Sequence, residues 1–549
     1  MPLRLHLVGG LGVFGQNCMV IEDAETGDAV VVDAGIGFPR EAGLAAELCI
    51  TDPTFIREYQ GRLKGYLLTH GHEDHIGAVG YLHREVAAPC LGTPLTLELV
   101  RERCDDVGLP IPEVQPLTPG ATVQLGAFHV SALSVSHSIP DSLCLLLEAG
   151  GLRVLHSGDF RIDENPVLGP PTDMSGLSSL GSQGVDLLLA DSTGAMSHGH
   201  NAGERSVGPA LERIFAQAHG RVFLSTFASH LQRMALVAQL SERNGRKILV
   251  AGRGAQTHAR LGRTFGNAVW PESIMVSPGE AQELPPQRLT VMVSGCQGEE
   301  RSAFWRLAHG EGNLPPVQKG DDVIHSARAI PGNEGRLAGL LDNFARMGAT
   351  VHDAHEGVHV SGHGYREDLR RLIQAVRPRA VLAVHGGFRH LQALAELARE
   401  EGLAPEMTPV CTSGDVVEVD HGLPPRLLAR REVGNVLLDE QGGMTPLGPV
   451  VDERRDLTAG LVVLSAVLDA HSGEVVGRLQ LSSRGLGLAA QELLEGEAVH
   501  EALVSLNALQ PEERTDQETA QAALQRGVKR VLRRLPGRPP VVVAHALLR

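Results

Sequence analysis

Five short apolar runs in this chain lead directly to a carboxylate or an imidazole. Residues 29–32 stop at Asp33, 65–69 at His70, 186–190 at Asp191 and 379–384 at His385; residues 152–155 lead into His156-Ser157-Gly158-Asp159. Apolar runs this short, bounded by polar loops, read as strands, and the strand ends of open α/β architectures are where chemistry is placed. The expected fold class is therefore α/β.

At 549 residues the chain is long enough for two to four domains. Between 221 and 354 the pattern becomes an alternation of strands (222–225, 248–250, 289–293, 323–325) and helices (229–242, capped by Ser229, and 333–347). That reads as a parallel α/β unit of its own, inserted into the first domain because ligand-type segments flank it. Residues 423–431, rich in Pro and Arg, read as a linker. A smaller α+β unit follows, with strands at 460–467, 479–481 and 540–544 and helices from 489 and over 516–534. The expected boundaries are 1–203 and 356–425 for the first domain, 204–355 for the insertion, 426–439 for the linker and 440–549 for the C-terminal unit.

The formal charge of −16 argues against a protein that coats nucleic acid non-specifically, though not against a local basic groove. No stretch approaches the ~20 apolar residues of a membrane helix, and the first ten residues make no signal peptide. Seven scattered cysteines without a CxxC pair suit a reducing compartment. A cytoplasmic protein without a membrane partner is expected.

Gly10-Leu11-Gly12-Val13-Phe14-Gly15 matches the dinucleotide-binding pattern, but the site needs a helix to start at that loop. The residues that follow are strand-like and run through Glu25-Thr26-Gly27-Asp28 into 29–32, which is a hairpin. The dehydrogenase reading fails on context. With no GxxxxGK[ST], a P-loop ATPase is excluded as well.

The strong signal is His70-Gly71-His72-Glu73-Asp74-His75, four metal-ligand side chains within six residues of a loop. Imidazole nitrogen and carboxylate oxygen select zinc or manganese over copper(I) or iron–sulfur centres. His137, Asp159 and His385 would each, alone, more often be structural. Together they complete what two metals need: His70, His72 and His137 for one, Asp74, His75 and His385 for the other, Asp159 bridging.

The HxHxDH motif with Asp33, His137 and Asp159 resembles the metallo-β-lactamase fold. Asp191, His363 and His385 resemble the three motifs of the β-CASP nucleases. Thr226-Phe227-Ala228-Ser229, Val250-Ala251-Gly252-Arg253, 294–299, 330–334 and 384–390 are similar to the bacterial ribonuclease J family, over essentially the whole chain. At Gly12-Val13-Phe14-Gly15-Gln16-Asn17 and at Cys296 the side chains depart from the family's pattern, whereas each metal and acid–base position is kept. The resemblance implies an αββα sandwich with an inserted β-CASP domain and a small C-terminal domain. It also implies a two-metal 5′–3′ exonuclease on 5′-monophosphorylated single-stranded RNA, with endonuclease activity as a further option, acting in RNA maturation and messenger decay.

Two metals close together acidify a water and neutralise a phosphate oxygen. Asp74, Asp191 and His363 are the catalytic candidates, His363 as proton donor to the leaving 3′-oxygen or stabiliser of the charge there, and Asp191 as its tautomer-fixing partner or a support of the metal shell. Asp33 is cast as an orienting hydrogen-bond partner of a ligand imidazole. Phosphate and base contacts are expected from Phe227, Ala228, Ser229 and Arg253 and from His359, Val360, Ser361, Gly362 and His363, with core packing the equal alternative for Phe227. Zinc is the expected metal and manganese the other candidate. A homodimer or homotetramer and an RNA-degradation complex are the expected assemblies. The basic set Arg526, Lys529, Arg530, Arg533, Arg534 and Arg538 reads as a solvated helix face. A hydrolase of a small thioester or lactam is disfavoured by the large insertion, and a non-catalytic RNA-binding scaffold by the complete ligand set.

Overall fold

The computed structural model describes residues 1–39, 48–267, 270–330, 332–439, 441–486, 488–534 and 538–549. Pro331 of the 330–334 motif and residue 440, the expected first residue of the C-terminal unit, lie outside them. The chain divides into two compact units, Met1–Met444 and Thr445–Arg549.

Two sheets face each other in the first unit. The eight-stranded sheet runs Arg426–Arg430, Asp415–Val419, Leu3–Gly9, Cys18–Asp23, Ala29–Ala34, Leu63–Leu67, Cys90–Gly92, Val114–Pro116. The six-stranded sheet runs Ala380–Val384, Leu187–Asp191, Leu152–His156, Ser142–Ala149, Phe128–Val135, Thr122–Leu125. Leu3, Leu5, Val30, Val32 and Leu67 of the first pack with Leu145, Leu147, Val154, Leu187 and Leu189 of the second in one buried cluster, the interior of the sandwich. Each sheet changes from antiparallel to parallel pairing part-way across. The parallel strands Ala29–Ala34, Leu63–Leu67, Leu152–His156, Leu187–Asp191 and Ala380–Val384 deliver the polar residues at their C-terminal ends. The fold is α/β, a metallo-β-lactamase sandwich carrying an inserted domain and followed by a C-terminal one.

The glycines of the dinucleotide-like pattern have φ of 83°, 84° and 80° at Gly10, Gly12 and Gly15, and Cys18–Asp23 pairs antiparallel with Ala29–Ala34. No helix starts there, which is why the loop is not a pyrophosphate site.

The inserted sheet is wholly parallel, in the order Lys247–Ala251, Leu289–Val293, Val222–Ser225, Asp322–His325, Thr350–His352. The helix after the strand Val222–Ser225 is Leu231–Arg243, two residues later than expected, and Ser229 does not cap it. The N–H of His230 donates to the Phe227 carbonyl at 3.0 Å and that of Leu231 to the Ser229 carbonyl at 2.8 Å, so a tight turn precedes the helix.

The expected linker is structured. Arg426–Arg430 is an edge strand paired with Asp415–Val419, and Asn435–Leu438 pairs with Leu48–Thr51. A solvent-facing edge strand keeps arginines, and prolines before its first residue cost no ladder bond, so its composition imitates a linker.

In the second unit Gln480–Arg484, Leu461–Leu468 and Val541–Leu548 form a sheet that shares a buried cluster with the helices Val499–Asn507 and Gln517–Leu532. Arg530 pairs with Glu501 at 3.1 Å and Arg538 with Asp456 at 2.5 Å, while Arg534 pairs with Glu497. Among the described residues no helix is long and apolar enough to cross a membrane.

Candidate metal centre and catalytic site

Register brings the site together. Val32 pairs with Leu67, so Asp33 stands beside Thr69, whose N–H and hydroxyl both donate to its carboxylate at 2.8 Å. Asp191 pairs with Val384, which sets it next to His385. Asp33 and His385 have φ of 57° and 50°, left-handed conformations rare outside glycine and typical of functional strand ends.

Three ring nitrogens converge first. His70 Nε2 lies 3.0 Å from His72 Nδ1, and His137 Nε2 lies 3.2 Å from the same atom. Asp159 Oδ2 stands 3.8 Å from both His70 Nε2 and His137 Nε2. On the other side of Asp159, its Oδ2 is 3.2 Å from His75 Nε2, while Asp74 Oδ2 is 3.7 Å from His75 Nε2 and 3.4 Å from His385 Nε2. His70, His72, His137 and Asp159 offer ligand atoms within 4.8 Å of one another, as do Asp74, His75 and His385 and, as a third set, Asp159, Asp191, His363 and His385; Asp159 links the first set to the third, and His385 the second to the third.

The rear nitrogen of each ring faces an oxygen: His70 Nδ1 that of Thr69 at 3.0 Å, His75 Nδ1 that of Asp33 at 2.7 Å, His137 Nδ1 the Gly362 carbonyl at 2.9 Å. His72 Nε2 faces Ser138 Oγ at 3.3 Å and His385 Nδ1 faces Asp159 Oδ1 at 2.8 Å. The front nitrogens of His70, His72 and His137 thus face one another's lone pairs, an arrangement that a cation relieves. These donors fit a divalent metal.

The charges agree. Burial, reinforced by neighbouring imidazoles, pushes His70 and His137 well below the ordinary imidazole range, and burial above all pushes His72 down to about 3. Those rings are neutral at pH 7, as ligands must be. Burial also opposes a proton on His75 and His385, but Asp159 and its carboxylate neighbours outweigh it, raising His75 strongly and His385 to about 10. Asp74, Asp159 and Asp191 leave this side short of positive charge, which a bound cation supplies in place of those protons.

His363 Nδ1 lies 2.7 Å from Asp191 Oδ2. Burial works against its protonation, yet the Asp191 carboxylate raises it above the ordinary range. Its backbone is fixed by Asn201, whose side-chain amide donates to the carbonyls of Ser361 at 2.8 Å and His363 at 2.7 Å. Gly362 has no space for a side chain, since a Cβ would stand 2.7 Å from His137 Cε1. Val360 turns its side chain into the core. His359 Nδ1 lies 3.3 Å from the Ser326 carbonyl, and Arg253 is exposed on the first turn of the helix Arg253–Thr264. Phe227, Ala228 and Ser229 are partly exposed.

Several residues in the site carry no motif. The Asn17 amide lies 3.1 Å from both the Asp74 carbonyl and His75 Nε2. Gln232, on the inserted domain, donates to the His137 carbonyl and accepts from the Val167 N–H at 3.0 Å. Below it, buried Glu204 binds Arg233 at 2.6 Å, His230 at 3.1 Å and Arg161 at 3.3 Å. Amides and hydroxyls follow no ligand spacing; the signal lies only in position, Asn17 closing the 12–17 segment and Thr69 ending the apolar run before His70.

Family comparisons match the chain in four pieces: the metallo-β-lactamase superfamily over 11–200, the ribonuclease J β-CASP domain over 219–344, the Zn-dependent metallo-hydrolase RNA specificity domain over 350–409, and the ribonuclease J C-terminal domain over 449–547. Ribonuclease J of Synechocystis sp. is 32% identical over 97% of this chain and 85% of its own length. This chain belongs to the ribonuclease J family. Ribonuclease J of Mycolicibacterium smegmatis is 34% identical over 88% of this chain and 86% of its own length, and that of Mycobacterium tuberculosis 33% over 93% and 92%. Among solved structures, a protein of unknown function from Enterococcus faecalis V583 superposes with a TM-score of 0.54 at 16% identity, covering 76% of this chain and 100% of its own, a likeness of fold alone. As a ribonuclease J, the chain is a metal-dependent ribonuclease, and RNA is its substrate.

Proposed function

We propose that this ribonuclease J removes nucleotides in the 5′–3′ direction from 5′-monophosphorylated single-stranded RNA and also cuts internally, in RNA maturation and messenger decay. The observation that carries the reading is the His363–Asp191 pair, 2.7 Å apart, beside the set His70, His72, His137 and Asp159, with Asp159 also 3.2 Å from His75 Nε2. His70, His72 and His137 would hold one divalent ion and Asp74, His75 and His385 the second, with Asp159 available to both; zinc is the proposed metal, with manganese the alternative. Bound there, the metals supply the positive charge that acidifies the attacking water and neutralises a non-bridging phosphate oxygen.

The chain's own residues do the rest. Asp33 and Thr69 hold the tautomers and orientation of His75 and His70. Asp191 accepts from His363 Nδ1, so that the opposite nitrogen donates its proton to the leaving 3′-oxygen as the phosphorus–oxygen bond breaks. Ser361, the backbone of Val360 and Gly362, His359, Arg253 and the Phe227-Ala228-Ser229 turn receive the 5′-phosphate and first base. Substrate threading between sandwich and inserted domain would favour single strands. The enzyme works in the cytoplasm as a homodimer or homotetramer, within or beside an RNA-degradation complex.

The test uses one single-stranded RNA, 5′-monophosphorylated or 5′-triphosphorylated and labelled near its 3′ end, with Mn²⁺, Mg²⁺ or Zn²⁺. Progressive shortening of the monophosphate form, abolished in an Asp74→Ala/His75→Ala variant, is the expected result. Internal fragments alone, from both RNAs, would overturn the exonuclease assignment.

A further inference from the structure

The phenylalanines of this chain divide into two groups. Of the twelve, eight belong to or pack against the hydrophobic clusters of buried side chains; Phe14, Phe38, Phe227 and Phe388 do not. These four lie on segments next to the strand ends that carry the site: Phe38 beyond Asp33, Phe388 three residues after His385, Phe227 just past Val222–Ser225, and Phe14 on the loop against Asp74. Phe38 and Phe388 are 51% and 48% exposed. Singly scattered apolar side chains on a surface need no explanation, but four aromatic rings left out of the core on segments next to one site do.

Phe14 is placed most closely. Leu11–Gly12 pairs with Gly386–Gly387, directly after the ligand His385, and the Asn17 N–H donates to the Asp74 carbonyl at 3.0 Å. Between those anchors the Phe14 ring meets His390 edge to face at 5.1 Å and stands 6.4 Å from the ring of His385. Phe14 Cε2 lies only 3.7 Å from where a Cβ at position 387 would be, so the glycine leaves room for the ring. Phe388 follows that glycine, and the next residue, Arg389, is exposed and in no ion pair among the described residues. Phe14, against His390, and the exposed Phe388 and Arg389, directly after Gly387, thus all lie on the segments that carry or meet His385.

We propose that Phe14, supported by Phe388 and Arg389, forms a stacking subsite for a nucleobase flanking the scissile phosphate, distinct from the Phe227 turn on the inserted domain. The proposal rests on the ribonuclease reading above. Stacking on an aromatic face is sequence-tolerant and suits an enzyme that advances one nucleotide at a time; Arg389 neutralises the phosphate attached to the stacked nucleotide. Because the subsite binds RNA without touching the reacting atoms, its loss weakens binding more than turnover.

The test measures KM and kcat of the full chain on 5′-monophosphorylated RNA, and on the same RNA carrying one abasic residue at each successive position around the cleaved bond. Phe14→Leu keeps the apolar contact with His390 but removes the π-face; Phe14→Trp restores it. The expected result is a rise of about ten-fold in KM for Phe14→Leu with kcat little changed, and recovery in Phe14→Trp. One abasic position should penalise the native enzyme and be silent in Phe14→Leu. Equal KM in native and Phe14→Leu enzymes, or the same abasic penalties in both, would overturn the subsite. A native protein that cleaves no RNA would instead overturn the ribonuclease reading, and the two failures are distinct.

Discussion

At the scale of residues, the site is a matter of rear contacts. Asp191→Asn keeps the shape of the pair with His363 but removes the charge that fixes its tautomer and raises its basicity. The expected outcome is a loss of at least about 100-fold in single-turnover cleavage with RNA binding nearly unchanged, read by rapid quench and filter binding. Asp33→Asn weakens the hold on His75, and metal affinity should fall about 10- to 100-fold, measured by competition with a chelator dye. The convergence of the His and Asp side chains was legible because His, Asp and a fixed spacing rarely coincide, and because strand ends announce themselves by a sudden polar residue. Asn17, Thr69 and Gln232 were not legible. Their contacts depend on a neighbouring loop or on a domain far away in sequence, and an amide that meets a backbone carbonyl leaves no periodic trace.

At the scale of elements, the strand-to-loop joints set the tolerance of the site. Gly35 follows the strand Ala29–Ala34, and a Cβ there would stand 1.6 Å from the Asp74 carbonyl oxygen. Backbone on both sides cannot give way as a side-chain tip can. Gly35→Ala should therefore cost about 1–3 kcal/mol, seen as a lower melting temperature, and should also lower metal content because the loop bearing Asp74 and His75 must shift. Sequence reading placed the strands ahead of Asp33, His70, Asp159, Asp191 and His385 well, since buried parallel strands are short continuous apolar runs. It misjudged two elements where solvent, rather than the core, set the composition. Arg426–Arg430, exposed throughout, looked like a linker, and Ser229 looked like a cap although the chain makes a further turn before the helix.

At the scale of the molecule, Glu204 ties the sandwich to the inserted domain. Burial alone would raise its pKa, but Arg233 and Arg161 overcome that and, with a hydrogen bond to His230, hold it well below the usual range; His230, lowered by burial, stays neutral. A carboxyl lowered on folding stabilises the protein above its unfolded pKa of about 4.3, and that contribution disappears as pH falls through the folded value. Glu204→Gln leaves buried Arg233 without a carboxylate partner and Arg161 with Asp163 alone, 3.3 Å away, and should cost about 3–5 kcal/mol at pH 7. The gap in melting temperature between native and variant should narrow as pH falls below about 4; a gap independent of pH would show that Glu204 matters only by its shape.

The strands Leu187–Asp191 and Ala380–Val384 lie side by side, yet 193 positions separate Ser192 from the carbonyl of His385 that its hydroxyl bonds. During translation, at about 5–20 residues per second, the first half of the centre waits about 10–40 s for the second. A ribosome making this protein carries its own messenger within reach of the nascent chain. Until the inserted domain has been made and the strand before His385 has docked, that chain lacks His363 and His385, two of the side chains proposed to carry out cleavage of such a message.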